Sequence, residues 1–91
     1  MTPPNKHYKE LYALLASVQD PKEMKNLLTD ILTPQELDAV TERLQILKAL
    51  NAGTPQREIA QKLNVSISTI TRGSRVLKYG TKTINKLIEN L

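Results

Sequence analysis

The second half of the chain contains a group of polar side chains whose types suit contact with nucleic acid. They are Gln56, Arg57, Ser68, Thr69, Thr71, Arg72 and Arg75. Hydroxyl, amide and guanidinium groups match the hydrogen-bonding groups on base edges in the major groove, and the cations attract phosphate. The segment that carries them, TPQREIAQKLNVSISTITRGSRVLK at residues 54–78, is therefore predicted to contact double-stranded DNA.

The order of residues in this segment predicts a helix-turn-helix. Thr54 is expected to cap the first helix, and Pro55 to take its first position, where an N–H would have no helical partner. The helix should end by Leu63, since Asn64 tolerates the left-handed backbone of a sharp turn and Ser66 offers an oxygen to the open N–H groups of a second helix.

Apolar residues in the two helices have the spacing of a packed pair. Those expected to face inward are Ile59, Leu63, Val65 and Ile70. Ala60 is small enough to let the helices cross closely. An ordinary helical hairpin with a solvated polar face is the alternative, but the turn chemistry, the small crossing residue and the polar composition all favour the DNA-binding motif.

The length and composition indicate one small domain with little apolar bulk. The chain has 91 residues, of which 40% are hydrophobic, which argues against a disordered tail. It contains no Phe, no Trp and three Tyr, which predicts a thin core. Burial against a second copy of the chain would stabilise such a domain.

Positive charge is concentrated around the helix-turn-helix. The net charge is +4, but residues 1–53 carry −1 and residues 54–91 carry +5. Such a local excess favours a polyanion through counterion release, although an anionic membrane surface would attract it too. No apolar run approaches the roughly 18 residues of a spanning helix, and the amino terminus lacks the apolar region of a signal peptide, so a cytoplasmic location is expected.

The sequence offers no combination of residues for catalysis or metal binding. There is no Cys, and the single His7 lies in the opening helix without a spaced acidic partner. An enzyme would need a nucleophile with a base, paired carboxylates or a metal cluster, so neither a catalytic nor a metal site is predicted. A helical protein-interaction module is the better competitor, but it would not explain the +5 excess beside a capped helix-turn-helix.

Capping signals divide the first half of the chain into three helices. The apolar stripe of the first comprises Tyr8, Leu11, Tyr12, Leu15 and Val18. Asp20 caps the second helix, which begins at Pro21. Thr33 and Glu36 have the spacing of a capping box at the start of the third.

The third helix is expected to be the longest, and one more helix follows the helix-turn-helix. The third helix should run to about Ala52 and end at Gly53, which takes a left-handed conformation cheaply. Its apolar stripe comprises Leu37, Val40, Leu44 and Leu47, with Ile46 and Leu50 beside it. Tyr79 and Gly80 break the helical pattern, after which a last helix begins. Its apolar side comprises Ile84, Leu87, Ile88 and Leu91.

These elements predict an all-α fold of six helices and no strand. No linker is long enough to divide the chain into separate domains. Within this single domain, residues 1–53 supply the dimerisation helices, residues 54–78 the helix-turn-helix and residues 79–91 the carboxyl-terminal helix.

From residue 32 to residue 78 the chain resembles the Trp repressor family, the bacterial dimeric repressors of tryptophan biosynthesis. The most specific pieces are Leu32-Thr33-Pro34, Arg43, Gln56-Arg57-Glu58 and Thr69-Ile70-Thr71-Arg72-Gly73-Ser74. The resemblance implies an all-helical, intertwined homodimer in which the amino-terminal helices of one chain wrap the other. Two helix-turn-helix heads would then bind a palindromic operator.

The resemblance also implies a corepressor site. Arg43 and Arg72 correspond to the two family arginines that hold the indole of L-tryptophan, and Thr33, Thr69 and Gly73 match other pocket positions. A planar guanidinium stacks on an aromatic face and also binds carboxylate. The arginine pair could instead be structural or touch phosphate, and Arg43 could form a surface ion pair with Glu42 or Asp38.

The chain departs from the family pattern at two places. Val76 stands where the family has a serine close to the ligand's amino group, and a valine accepts no hydrogen bond. The turn NAGTPQ is one residue shorter than the family pattern, and Lys78-Tyr79-Gly80 is similar to the Trp-repressor-like YerC/YecD group. Binding of DNA without any effector is therefore the alternative expectation.

Within the helix-turn-helix, roles are assigned by side-chain chemistry. Arg57 is the expected base reader, because its fork fits the two acceptors of guanine. Arg75 and Lys78 are expected to bind phosphate. The full predicted DNA-binding set comprises Gln56, Arg57, Ser66, Ser68, Thr69, Thr71, Arg75 and Lys78. The expected function is sequence-specific DNA binding by a homodimeric transcriptional regulator.

Overall fold

The computed structural model describes all residues from 1 to 91 and contains six α-helices and no strand. The helices are α1 (Asn5–Ala16), α2 (Pro21–Ile31), α3 (Pro34–Asn51), α4 (Gln56–Leu63), α5 (Ile67–Tyr79) and α6 (Thr83–Ile88). The predicted all-α class and number of helices are confirmed. The chain forms two compact units, Met1–Leu37 and Asp38–Leu91.

The first unit has a side-chain cap at the start of α2 but none at the start of α1, and no side chain of either helix is buried. As predicted, Asp20 caps α2: its carboxylate accepts a hydrogen bond from the N–H of Glu23 at 3.2 Å, with Pro21 at the first helical position. The large apolar side chains left exposed include Leu11, Tyr12, Leu14 and Ile31. Of the apolar stripe of α1, Leu15 and Val18 are half-buried, and the rest is left exposed within the unit.

Both ends of α3 are closed by local hydrogen bonds. The N–H of Glu36 donates to Oγ1 of Thr33 at 3.1 Å, and the N–H of Thr33 donates to Oε1 of Glu36 at 2.8 Å, which completes the predicted capping box. At the other end Gly53 has φ +88°, as predicted, and its N–H donates to the carbonyl of Leu50. The helix itself ends at Asn51, one residue before the predicted end.

Three isoleucines form the core of the second unit. Ile46 of α3, Ile59 of α4 and Ile70 of α5 are at most 2% exposed and lie in one cluster. The partly buried residues packed against them are Ala49, Leu50, Ala60, Leu63 and Val65. The predicted inward-facing residues of the helix-turn-helix are confirmed, and each of the three helices contributes one isoleucine to the same contact.

The predicted start of α4 is wrong by one residue. Pro55, with ψ 142°, is the residue that precedes the helix, and no side chain caps α4, so Thr54 does not have the capping role expected of it. The N–H of Thr54 donates to the carbonyl of Ala49 at 3.0 Å. Thr54 thus belongs to the hydrogen-bonded end of α3, and helical geometry resumes only at Gln56.

Two further expectations are corrected near the carboxyl terminus. Tyr79 does not break the helical pattern, because it is the last residue of α5. In α6, Ile88 is buried and Ile84 is half-buried, but Leu87 and Leu91 are 55% and 72% exposed, so the predicted apolar side is only partly covered. None of the six helices has both the length and the apolar character that crossing a membrane requires.

Candidate nucleic-acid interface

The turn between α4 and α5 is built from local hydrogen bonds that set where α5 begins. Asn64 adopts the left-handed conformation (φ 55°, ψ 50°), as its type predicted. The hydroxyl of Ser66 accepts a hydrogen bond from the N–H of Thr69 at 3.2 Å. It also lies 3.0 Å from the Ser68 hydroxyl and 2.8 Å from the Thr69 hydroxyl. The first turn of α5 therefore presents a connected group of hydroxyls.

The predicted DNA-binding residues are exposed, with Gln56 half-buried. Ser68 and Thr69 lie in the first turn of α5, the part of a recognition helix that approaches base edges. The hydroxyl of Thr71 donates to the carbonyl of Ile67 at 3.0 Å, so its lone pairs remain free to accept a hydrogen bond. Arg57 is exposed near the start of α4.

Four of these residues line one open groove of ≈ 640 Å³, which we call the outer groove. Its lining comprises Gln56, Thr71, Ser74, Arg75, Lys78 and Tyr79. The only ion pair in the structure joins Lys62 to Glu58 at 3.1 Å, so neither Arg75 nor Lys78 is neutralised within the chain. An anion in the groove would meet two unpaired cations.

Sequence reasoning missed two residues of the outer groove, Ser74 and Tyr79. Both follow from helical periodicity, because residues three, four and eight positions after Thr71 share one side of a helix. Tyr79 is missing from the predicted DNA-binding set because the second helix of the motif was expected to end before it.

A second concavity, of ≈ 490 Å³, lies between α3 and α5, and we call it the α3–α5 cleft. It is lined by Ala39, Glu42, Arg43, Ile46 and Leu47 of α3 and by Thr69, Arg72, Gly73 and Val76 of α5. Four of the five residues that the resemblance assigned to a ligand pocket are thus brought together. The proposed ion pair of Arg43 with Glu42 or Asp38 is absent. Neither arginine of the cleft is paired, and the carboxylate of Glu42 is unpaired beside them.

Gly73 brings the two helices of the cleft into close contact. A Cβ at this position would lie 3.2 Å from Cγ2 of Ile46 and 3.3 Å from Cδ1 of Leu50. Thr33, the fifth predicted pocket residue, belongs to the first unit, where its hydroxyl accepts the capping hydrogen bond from Glu36. Its assignment to a ligand pocket stays a prediction.

Comparison with known proteins extends the match beyond residues 32–78. The family model described as Trp repressor protein matches residues 6–91. The chain belongs to the Trp repressor family. The match includes α2, nearly all of α1 and the whole of α6, none of which lies in the region 32–78 that carried the resemblance. Trp repressor family members are DNA-binding transcriptional regulators, a regulatory class rather than an enzymatic one. A search of curated proteins found no match.

Proposed function

We propose that this member of the Trp repressor family is a sequence-specific repressor that occupies a palindromic operator as a homodimer. The observation that carries the proposal is the outer groove, where Arg75 and Lys78 stand unpaired beside hydrogen-bonding side chains of a capped recognition helix. Cations without internal partners bind phosphate by releasing its counterions. Occupation of the operator would then exclude other proteins from that DNA.

The side chains proposed to read the DNA bases lie near the starts of α4 and α5. Arg57 donates to the two acceptors of guanine, and the hydroxyls of Ser68 and Thr69 lie at the start of α5, where recognition helices approach bases. Arg75 and Lys78 hold the sugar–phosphate backbone and so fix the orientation of the helix. Specificity and general affinity are thereby assigned to different side chains.

The homodimer is supported by the first unit. No residue of α1 or α2 is buried, although Leu11, Tyr12 and Leu14 are large and apolar. A second copy of the chain would remove this surface from water at a gain of roughly 25 cal/mol for each Å² covered. A twofold dimer places its two recognition helices about 34 Å apart, which matches a palindrome with half-sites one helical turn apart.

The α3–α5 cleft is proposed as the effector site. Arg43 and Arg72 would hold a planar aromatic amino acid such as L-tryptophan between guanidinium groups, with Ile46 and Leu47 as apolar lining. An occupant would favour one arrangement of α5 relative to α3 and so alter DNA affinity by as much as it prefers that arrangement.

Effector-free DNA binding is the second candidate, and Val76 favours it. Its side chain lines the cleft and offers no acceptor to an ammonium group. A buried donor left without a partner costs roughly 1–3 kcal/mol. Tryptophan would therefore bind weakly unless another group, such as Glu42, meets its ammonium.

Selection of binding sites from random duplex DNA, with and without L-tryptophan, tests the proposal. We expect enrichment of a twofold-symmetric sequence. Enrichment only with tryptophan supports the corepressor role of the cleft, and equal enrichment in both arms supports effector-free binding. Recovery of no common sequence in either arm would contradict the proposed function and favour a helical protein-interaction module.

A further inference from the structure

The carboxyl end of α5 carries a large aromatic side chain that is mostly exposed. Tyr79 is 80% exposed and lines the outer groove together with Arg75 and Lys78. An exposed tyrosine alone would need no explanation. Here it extends a surface that already carries two unpaired cations and the hydroxyls of Thr71 and Ser74, so its phenol stands at the end of a positively charged, hydrogen-bonding surface.

The position of Tyr79 along the helix indicates which part of DNA it would meet. Each helical residue advances 1.5 Å along the axis, so Tyr79 lies about 18 Å beyond Ile67, at the start of α5. The major groove is only about 12 Å wide. If the first turn of α5 lies over the base edges, the side chain of Tyr79 reaches past the groove and meets the sugar–phosphate backbone at its edge.

Lys82 removes the negative charge that would otherwise oppose a phosphate at this place. The last carbonyls of a helix carry the negative end of its dipole. The Lys82 ammonium donates to the carbonyl of Leu77 at 2.6 Å and to that of Lys78 at 2.7 Å. The Asn85 amide donates to the same Leu77 carbonyl at 3.1 Å. A positively charged side chain thus caps α5 immediately beside Lys78 and Tyr79.

Gly80 lets the chain turn directly after Tyr79. Its N–H donates to the carbonyl of Val76 at 2.9 Å, and a Cβ there would lie only 2.5 Å from that same oxygen. The left-handed conformation of Lys82 (φ 72°) then turns the chain back over the end of the helix. The backbone around Tyr79 is therefore held in place, whereas its ring is left exposed.

We infer that Tyr79 is a further DNA-contacting residue, whose phenol donates a hydrogen bond to a phosphate oxygen of the backbone in the outer groove while its ring packs on the deoxyribose. Lys82 is a positioning residue for this contact. The inference rests on the proposed function, since it requires that the outer groove binds DNA. It adds to the helix-turn-helix a contact that is independent of base sequence and lies at the end of α5 remote from the base-reading residues.

Anisotropy titrations of the full chain test the contact on two 30-base-pair duplexes, one carrying the selected site and one of mixed sequence. We expect Tyr79→Phe to weaken binding by about threefold, as for the net loss of one solvent-exposed hydrogen bond, and Tyr79→Ala by about tenfold, since the ring contact is lost too, on both duplexes alike. The control Asn90→Ala removes an exposed polar side chain that lies outside the outer groove and should leave binding unchanged.

Ethylation interference locates the contact on DNA. Ethylation of the phosphate that Tyr79 contacts should impair binding of the parent chain and have no further effect on Tyr79→Phe. Binding by Tyr79→Ala that equals the parent overturns the inference, and so does a loss confined to the selected duplex, which would indicate base reading. A parent chain that binds neither duplex would instead overturn the proposed function.

The salt dependence of DNA binding distinguishes a positioning role of Lys82 from a direct contact between Lys82 and phosphate. We expect Lys82→Met to weaken binding about threefold with an unchanged slope of log Kd against log salt concentration, and Lys82→Arg to restore it. A slope lowered by about 0.9 in Lys82→Met would show that Lys82 itself neutralises a phosphate and would overturn its positioning role. Circular dichroism melting of each variant checks that the fold is retained.

Discussion

Thr33 and Glu36 cap the start of α3 reciprocally, each backbone N–H donating to the other's side-chain oxygen, at 2.8 Å and 3.1 Å. The hydrogen bonds from the Thr33 backbone and then from its side chain hold the pKa of Glu36 below its ordinary value of 4.5. The carboxylate is also favoured by the positive end of the helix dipole. The charged form of Glu36 is therefore the one that stabilises the fold.

This arrangement predicts a pH-dependent loss of stability. Because the pKa of Glu36 is lower in the folded than in the unfolded chain, its contribution is present above about 4.5 and is lost as the pH falls below that value through the folded-state pKa. The melting temperature of the parent should exceed that of Glu36→Gln at pH about 6, and the difference should shrink toward pH about 3. Thermal melts monitored by circular dichroism measure this difference in melting temperature.

The corresponding control is Glu23→Gln. Glu23 has the same position in α2, but only its backbone N–H takes part in the cap. At pH about 6 the melting temperature of Glu23→Gln should lie closer to that of the parent than the melting temperature of Glu36→Gln does, because the Glu23 side chain makes no capping hydrogen bond. A Glu36→Gln difference that is constant with pH would contradict the assigned role of the carboxylate.

Dimerisation should depend on the exposed face of α1. Sedimentation of the full chain at micromolar concentration should give twice the mass of one chain. Leu14 is 44% exposed, so Leu14→Glu would be nearly harmless in a monomer but should dissociate or unfold a dimer that buries it. Lys6→Glu, also in α1, is the charge control. A stable, folded monomer of the parent would refute the dimer and its half-site spacing.

Two alanine variants should distinguish base reading by Arg57 from phosphate binding by Lys78. Arg57→Ala is expected to lose roughly 1–3 kcal/mol on the selected site and to relax preference at one base pair. Lys78→Ala should weaken all sequences alike and lower the salt slope by about 0.9. Lys62→Ala, which removes a lysine already paired with Glu58, serves as control. Equal losses for Arg57→Ala on specific and random DNA would reject its reading role.

The α3–α5 cleft predicts a gain of function at one position. Val76→Ser adds an acceptor for an ammonium group and should create or strengthen tryptophan-dependent DNA binding. Arg72→Ala in the same background should abolish it. Calorimetric titration with L-tryptophan gives the affinity directly. Micromolar binding to the parent that Arg72→Ala removes would show that Val76 is no obstacle.

The sequence alone determined where most helices begin or end. The capping box of Thr33 and Glu36, the cap at Ser66 and the left-handed positions Gly53 and Asn64 were all predicted and are all present. Such features depend on hydrogen bonds between residues a few positions apart. They are therefore decided by local residue types, before any tertiary contact forms.

Two helix boundaries, at Thr54 and at Tyr79, were predicted wrongly because each residue fits more than one local pattern. Thr54 suited a helix cap, but its N–H closes the end of α3 by bonding to Ala49. Tyr79 followed by a glycine suggested a break, yet the helix includes Tyr79 and ends only at its carboxyl side. At Thr54 a backbone hydrogen bond at the end of α3 thus delays the start of α4 to Gln56.

Only the tertiary structure decided which apolar residues form the core and which polar residues meet. Periodicity placed Val40 and Ile46 on or beside one stripe of α3, but Ile46 is 2% exposed and Val40 is 48% exposed. A helical repeat specifies a face and not the element that covers it. Arg43 and Arg72 line one cleft because α3 packs on α5 at Gly73, where the absence of a side chain lets Ile46 approach.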